Sequence, residues 1–241
     1  MTLLEKEERL GGQIVWAVRV TNRAEFGDIV RNILREIEQL QVEVQTGVTA
    51  TAESVLAAKP DAVIVATGSK PDRHAIPGAD GPAVADVTDI LSGRVTPGKR
   101  VMVIDRLGFH EATSTAEFLA DQGCEVEVVT QTLYVGQDLG VTLDLENWYR
   151  QARRLGIKCT PNHSVLSIAD RVVTALHNYS GQIVAFPEVD SIVLSVHRRA
   201  NCALYTALKG QVPELYRIGD CVAPRRAHAA IIEGEKAGRA V

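Results

Sequence analysis

Acidic residues and glycines follow three apolar runs in the pattern that nucleotide-binding α/β folds use. Glu5 ends the opening run, and the acid at the end of the second strand of such a fold accepts hydrogen bonds from the adenosine ribose. Gly68 closes a second run, and Gly219 and Asp220 follow a third. Ligands of open α/β sheets bind beyond the carboxyl ends of the strands. We therefore expect the three strand ends to meet in one crevice.

A basic residue and a glycine pair follow Glu5 closely. Glycines let backbone approach a bound dinucleotide, and an arginine neutralises phosphate charge. Each of these patterns taken alone also has a simpler explanation. Glu5 can be a solvated surface residue, the glycine pair a flexible turn, and Asp220 a helix cap. No catalytic residue is predicted. The predicted cofactor contacts are Glu5, Arg9, Gly11, Gly12, Gln13, Val48, Ala66, Thr67, Gly68, Gly219 and Asp220.

Composition argues against several classes of protein. The net charge of -4 and the pI near 5.9 give no electrostatic basis for binding nucleic acid or an anionic membrane surface. No apolar run reaches the roughly 18 to 20 residues that span a bilayer, and the acidic start is unlike a signal peptide, which predicts a cytoplasmic protein. The cysteines lack metal-ligand spacing, so we predict free thiols and no metal site. They are Cys124, Cys159, Cys202 and Cys221.

Hydrophobic periodicity predicts alternating strands and helices. The first part is expected to contain a buried strand at 2–5, a helix with one buried face at 25–40, a strand at 42–46, a short helix at 52–59 and a central strand at 61–68. The second part is expected to contain a βαβ unit (100–105, 111–122 and 125–130), a helix at 143–155, an antiparallel meander (165–168, 172–177 and 182–186) and a buried strand at 191–196.

Two further stretches decide the predicted domain organisation. Residues 70–98 are rich in proline and glycine, so we expect connecting backbone there rather than core. The final strand and helix have the character of the first part, which predicts a split domain. The predicted fold class is α/β, with two Rossmann-like, three-layer dinucleotide-binding domains. The first comprises 1–95 plus 205–241 and lacks its N-terminal part, and the second is inserted at 98–204.

A family resemblance rests on three stretches: TLLEKEERLGGQ, DAVIVATGSKP and YRIGDCVAPRRAHAAIIEGEKAGRAV. They are similar to the C-terminal half of the trimethylamine dehydrogenase and 2,4-dienoyl-CoA reductase family, within the NADH:flavin, old yellow enzyme-like oxidoreductases. The resemblance covers essentially the whole chain, and residues 219–226 are its most specific part. The inserted unit looks more like the amine or N-methyl-compound dehydrogenases than the enoyl reductases.

The resemblance implies cofactors that this chain does not hold alone. Full-length members carry a barrel with FMN and a four-cysteine [4Fe-4S] cluster, followed by an FAD- or ADP-binding domain and an NAD(P)H-type domain. The expectation is that Met1 begins inside the FAD-type domain, after its first strand and glycine-rich turn. FAD or ADP would then bind weakly. The missing barrel of the same polypeptide, an electron-transfer protein and a second copy of the chain are the expected partners.

The inserted unit departs from the dinucleotide-binding pattern. A pyrophosphate-binding turn needs glycines, yet Asp105, Leu107 and His110 stand where three are expected. Thr130 stands where a ribose-binding acid is expected. We therefore predict that NAD(P)H binding is lost in this unit. The alternative is that Arg106 and His110 form a modified anion site.

These observations support one leading hypothesis and two alternatives. The leading hypothesis is a C-terminal fragment of an FMN and iron-sulfur oxidoreductase acting on amines or N-methyl compounds, which holds the adenine nucleotide, lacks the substrate site and is inactive alone. One alternative is a stand-alone nucleotide-binding or interaction module that a partner chain completes. The other is an NAD(P)H-dependent flavin or enoyl reductase.

Overall fold

The structure, a computed structural model, describes the backbone of all 241 residues and every side chain except that of Ala75. The strands are β1 (Thr2–Leu4), β2 (Glu43–Gln45), β3 (Ala62–Val65), β4 (Ser69–Pro71), β5 (Val84–Asp86), β6 (Arg100–Asp105), β7 (Glu125–Thr130), β8 (Lys158–Thr160), β9 (His163–Ala169), β10 (Val172–His177), β11 (Ile183–Ala185), β12 (Ser191–Ser195), β13 (Arg198–Ala200) and β14 (Glu214–Arg217). The helices are α1 (Ile14–Ala17), α2 (Gly27–Gln39), α3 (Ala52–Ala57), α4 (Val87–Ser92), α5 (His110–Asp121), α6 (Leu145–Arg154), α7 (Ala203–Leu208) and α8 (Ala227–Ala240).

The first compact unit consists of Met1–Leu10, Ile33–Asp72 and Arg198–Val241. It contains three two-stranded sheets. β1 pairs with β2 and β3 with β14 in parallel, whereas β4 pairs with β13 in antiparallel. In each parallel pair the two carboxyl ends lie at the same edge, so the residues that follow them are neighbours.

The apolar core of the first unit is small. The buried residues of its core cluster are Val65, Leu208 and Cys221. The helix predicted at 25–40 forms as α2, but its expected buried face is wrong, because Ile33 is 46% exposed. Periodicity defines an apolar face without supplying an element to cover it.

The two strands predicted to be buried in this unit are also partly exposed. Two of the three residues of β1 are exposed, and Ile64 of β3 is 38% exposed. Among the described residues, each of these strands pairs with one neighbour only. The expectations of a buried β1 and of a fully covered central β3 are therefore wrong, because a strand with one free edge lacks the cover that a central strand has.

The second compact unit consists of Gly11–Asn32 and Arg73–His197. Its centre is a five-stranded parallel sheet in the order β5-β12-β6-β7-β8. Successive residues of β6 lie on opposite faces: Val101 and Val103 pack with residues of α4, α5 and α6, while Met102 and Ile104 pack with residues of β9 and β10 in the meander β9-β10-β11. The unit is thus three-layered. The predicted βαβ, the helix at 143–155, the meander and the buried β12 are confirmed.

The stretch predicted as connecting backbone, residues 70–98, contains a strand and a helix of the second unit instead. β5 pairs in parallel with β12, and α4 places Ile90 in the core. A reciprocal capping box begins α4: Asp86 accepts from the Asp89 N–H at 3.0 Å, and Asp89 accepts from the Asp86 N–H at 3.1 Å. The prediction was wrong because proline and glycine flank a strand of only three residues.

The compact units do not follow the predicted domain boundaries everywhere. Residues 11–32 and 73–95 lie in the second unit, and residues 198–204 lie in the first. The reason that 73–95 differ is that β5 and α4 complete the five-stranded sheet and its core. The assignment of the two nucleotide-binding domains to residues 1–95 plus 205–241 and to residues 98–204 stays a prediction.

Candidate nucleotide site

Glu5 lies directly after β1, held by the loop that follows it. Its N–H donates to the Gln45 carbonyl and its carbonyl accepts from the Val48 N–H, both at 2.9 Å. The Glu5 carboxylate accepts from the Glu7 N–H through Oε1, also at 2.9 Å. Oε2 has no hydrogen-bond partner among the described residues. A half-buried carboxylate with one oxygen oriented and the other available can accept from a hydroxyl pair.

The basic residue and the glycine pair after Glu5 are divided between the two units. Arg9 is exposed and lies in the first unit, whereas Gly11, Gly12 and Gln13 lie in the second. A Cβ on Gly11 would stand 3.1 Å from Val30, and φ there is +119°. Gly11 is therefore needed for the packing of its own loop, which is the simpler explanation of the glycine pair.

Thr67 joins the loop after β3 to two distant segments. Its hydroxyl donates to the Asn201 carbonyl at 2.5 Å and lies 3.4 Å from Cys221 Sγ. Asn201 in turn donates from its backbone N–H to the Gly68 carbonyl at 2.9 Å. The structure thus brings Ala66, Thr67 and Gly68 together with the segment that follows β14.

Asp220 is fixed by donors from two directions. Its Oδ2 accepts from the Ser69 hydroxyl at 2.8 Å, and its Oδ1 accepts from the Arg225 N–H at 3.0 Å. Ser69 also accepts from Arg198 Nε at 2.9 Å. The Asp220 carboxylate is therefore oriented before any ligand binds, as a binding carboxylate should be.

Gly219 sets how closely helix α8 approaches the strand end. Its φ is +63°, and a Cβ there would stand 3.2 Å from the Ala230 Cβ. Its N–H donates to Glu233 Oε2 at 2.7 Å, and Arg225 binds Glu233 Oε1 at 2.5 Å. The Arg225 hydrogen bond is the main cause that lowers the pKa of the Glu233 carboxyl. Arg225 thus complements an acid of the helix that follows it.

Among the contributors to this cluster that lie outside the predicted contacts, Ser69, Arg198 and Asn201 come from the paired strands and the residue after them. They meet because β4 pairs with β13. That pairing joins residues about 130 positions apart in a stretch of loop-like composition, so no local pattern indicates it. The structure unites the loops after β3 and β14 in one cluster, and Glu5 with Val48 in another.

The arrangement offers carboxylates, hydroxyls and amides, which are groups that bind ligand hydroxyls. Among the described side chains, no group of three or more His, Cys, Asp or Glu residues could hold a metal ion. No described helix is both long and apolar enough to cross a membrane. The Glu5 cluster suits a ribose diol, and the Asp220 cluster suits polyol hydroxyls.

Comparison with known proteins finds similarity to oxidoreductases. A family model described as pyridine nucleotide-disulphide oxidoreductase matches residues 1–234. N,N-dimethylglycine/sarcosine dehydrogenase of Chromohalobacter salexigens is 31% identical over 97% of this chain and 39% of its own length. Bilirubin reductase of Mediterraneibacter gnavus is 32% identical over 92% of this chain and 34% of its own length. This chain therefore spans between a third and two fifths of these relatives.

A solved structure extends the comparison to three dimensions. A 2-naphthoyl-CoA reductase, in complex with 2-naphthoyl-CoA, superposes with a TM-score of 0.91 at 31% identity, over 99% of this chain and 36% of the other. The predicted Rossmann-like α/β fold is confirmed by the family match and this superposition.

Proposed function

Because the chain belongs to the pyridine nucleotide-disulphide oxidoreductase family, in the trimethylamine dehydrogenase and 2,4-dienoyl-CoA reductase group, we propose that it is the adenine-nucleotide-binding part of a larger flavin oxidoreductase. The observation that carries this proposal is the Glu5 carboxylate after β1, with Oε1 held by the Glu7 N–H. A carboxylate in this place of a nucleotide fold binds ribose hydroxyls.

The two clusters of the first unit divide the nucleotide between them. Glu5 would hold the adenosine ribose, with Val48 beside it, and Arg9 would contact phosphate. Thr67, Gly219 and Asp220 would bind the flavin end, where Asp220 is oriented by Ser69 and by the Arg225 N–H. FAD, when bound, supplies a two-electron redox centre, whereas ADP supplies binding alone. The residues of this chain only bind and orient the nucleotide.

We propose that the substrate chemistry takes place in a further part of a longer polypeptide. The chain covers 39% of the length of the dimethylglycine/sarcosine dehydrogenase. Exposed apolar residues of the first unit, among them Ile33 (46%), Ile231 (52%) and Ile232 (48%), suit burial against further polypeptide. We propose that FMN, a [4Fe-4S] cluster and the substrate site belong to a barrel domain. Partners such as an electron-transfer protein or a second copy, and a cytoplasmic location, stay predictions.

The substrate proposed is an amine or an N-methyl compound, as the name of the dimethylglycine/sarcosine dehydrogenase suggests. A second candidate is an NAD(P)H-dependent reductase, which the bilirubin reductase favours at 32% identity. A third is a module that a partner chain completes. The DNA upstream of Met1 separates the third from the others: an in-phase reading frame that encodes GxGxxG and CxxCxxxC supports the larger polypeptide, and a stop codon contradicts it.

Calorimetric titration of the chain with ADP and with FAD tests the proposed function. We expect ADP to bind with a Kd above about 1 μM. The contacts proposed at Glu5 are to the ribose, whereas a complete nucleotide fold binds more tightly because a turn also holds the pyrophosphate. Glu5→Gln should weaken ADP binding about tenfold, the loss of a hydrogen bond to a charged group. The matched control is Glu7→Gln, an exposed neighbour on the same loop. Equal affinities of the two variants would contradict the role of Glu5.

A further inference from the structure

The turn after β6 contains a buried carboxyl group. Asp105, the last residue of β6, is 0% exposed. Its Oδ1 accepts from the backbone N–H groups of Leu107 at 3.0 Å and Gly108 at 2.8 Å. Oδ2 is buried and has no partner among the described residues. Burial raises the pKa of the Asp105 carboxyl, and the backbone N–H groups oppose that rise.

These N–H groups occupy the place where a dinucleotide fold binds diphosphate. In such a fold, the turn from the first strand to the first helix directs its N–H groups at the pyrophosphate. In the second unit, β6 is that strand and α5 is that helix. A diphosphate would therefore have to displace Asp105 from both Leu107 and Gly108.

The surroundings of Asp105 oppose that exchange. The negative charge of Asp138 also raises the pKa of Asp105, so a diphosphate would enter a region that already holds two acids. Asp105 and Thr130 line a cavity of about 10 Å³, which is the size of one water molecule. The Thr130 hydroxyl pairs with Thr132 at 3.0 Å. The end of β7 thus carries a pair of hydroxyls in place of the acid that binds a ribose in such a fold.

The first residue of α5 is also engaged within the unit. His110 Nδ1 lies 2.6 Å from Arg23 Nη2, and His110 Nε2 lies 3.2 Å from Asp144 Oδ2. Thr142 Oγ1 is 3.3 Å from the same Nε2. An anion site built from Arg106 and His110 would have to take His110 out of this network.

We propose that the Asp105 carboxyl group occupies the place of the diphosphate, so that the β6–α5 turn is closed and the second unit does not bind NAD(P)H. This inference goes beyond the proposed function, which concerns the first unit. It implies that reducing equivalents do not enter from NAD(P)H at this unit, which argues against the reductase candidate.

Nuclear magnetic resonance of the ¹⁵N-labelled chain tests the proposal at the turn itself. The backbone signals of Leu107 and Gly108 are followed as NADH, and separately inorganic pyrophosphate, are added to about 10 mM, enough to fill even a site with a Kd near 1 mM. In the wild-type chain both signals should stay unchanged. Movement of both signals with saturation would overturn the proposal. The signals report on this turn alone. The result can therefore be interpreted whether or not ADP binds at Glu5.

Two variants separate occupation of the turn from charge. Asp105→Ala frees both N–H groups, and pyrophosphate should then move the Leu107 and Gly108 signals. Asp105→Asn keeps an oxygen acceptor without the charge, and its signals should stay unchanged. Unmoved signals in Asp105→Ala, or equal movement in both variants, would each refute the closed turn. The Val103 and Val128 signals report whether the sheet has kept its fold, and the wild-type titration stands alone if Asp105→Ala does not fold.

Discussion

Ser69 and Asp220, 151 residues apart in the sequence, are joined by a hydrogen bond of 2.8 Å from the serine hydroxyl to the carboxylate. The bond links the first residue of β4 to the loop after β14, and Arg198 extends it by donating to the same hydroxyl at 2.9 Å. One side of the candidate site is therefore organised by a contact that depends on the β4–β13 pairing.

Ser69→Ala is expected to destabilise the first unit by about 1 to 2 kcal/mol, because Asp220 Oδ2 and Arg198 Nε each lose their hydrogen bond with the Ser69 hydroxyl. Thermal unfolding measures the change in stability, and amide hydrogen exchange in β3 and β14 shows whether it is located in the first unit. Thr49→Ala, at an exposed loop position, is the control and should change stability by less than about 0.5 kcal/mol. The Ser69 bond has no stabilising role if the two variants unfold alike.

Gly219→Ala is expected to be more damaging than Gly210→Ala, although both glycines have positive φ, +63° and +77°. A methyl group at Gly210 would meet open space, whereas at Gly219 it would stand 3.2 Å from the Ala230 Cβ. Backbone strain of about 1 kcal/mol is common to both variants, and the contact with α8 adds to it at Gly219. Urea unfolding of the two variants compares them. Equal losses of stability in the two variants would show that α8 moves away from the added methyl group without a loss of free energy, and would contradict the prediction.

Glu117→Gln is expected to stabilise the second unit at pH 8 and to have little effect at pH 5. Burial raises the pKa of Glu117 from 4.5 to about 7, against the attraction of Arg23 and with the repulsion of Asp121. The folded state therefore binds the proton more tightly than the unfolded state, so this group lowers stability as pH rises from 4.5 to 7. Melting temperatures measured from pH 5 to pH 8 test the sign, with exposed Glu25→Gln as the control. A gain that is the same at pH 5 and pH 8 would contradict it.

Sequence periodicity predicts the βαβ unit of β6, α5 and β7 well, because strong alternation and a closing Gly123 are local signals. It does not predict β5, since three residues between prolines and glycines carry too little pattern. The Asp86-x-x-Asp89 capping spacing is a local signal for α4.

The candidate site is predictable in part for the same reason. Glu5 and Asp220 stand at strand ends that local pattern reveals. The Ser69 and Arg198 contacts depend on pairing between segments far apart in the chain, which periodicity does not encode. The closed turn at Asp105 is indicated by the missing glycines, but the hydrogen bonds that close it are a property of the folded loop.

Hydrogen exchange of the intact chain with and without ADP tests the central claim most directly, since it locates the nucleotide without a substitution. The claim that Glu5 and its loop bind the adenosine predicts slower exchange in residues 1–9 and 43–48, with α6 unchanged as the internal reference. Slower exchange confined to residues 105–112, or no change in any segment at saturating ADP, would contradict it.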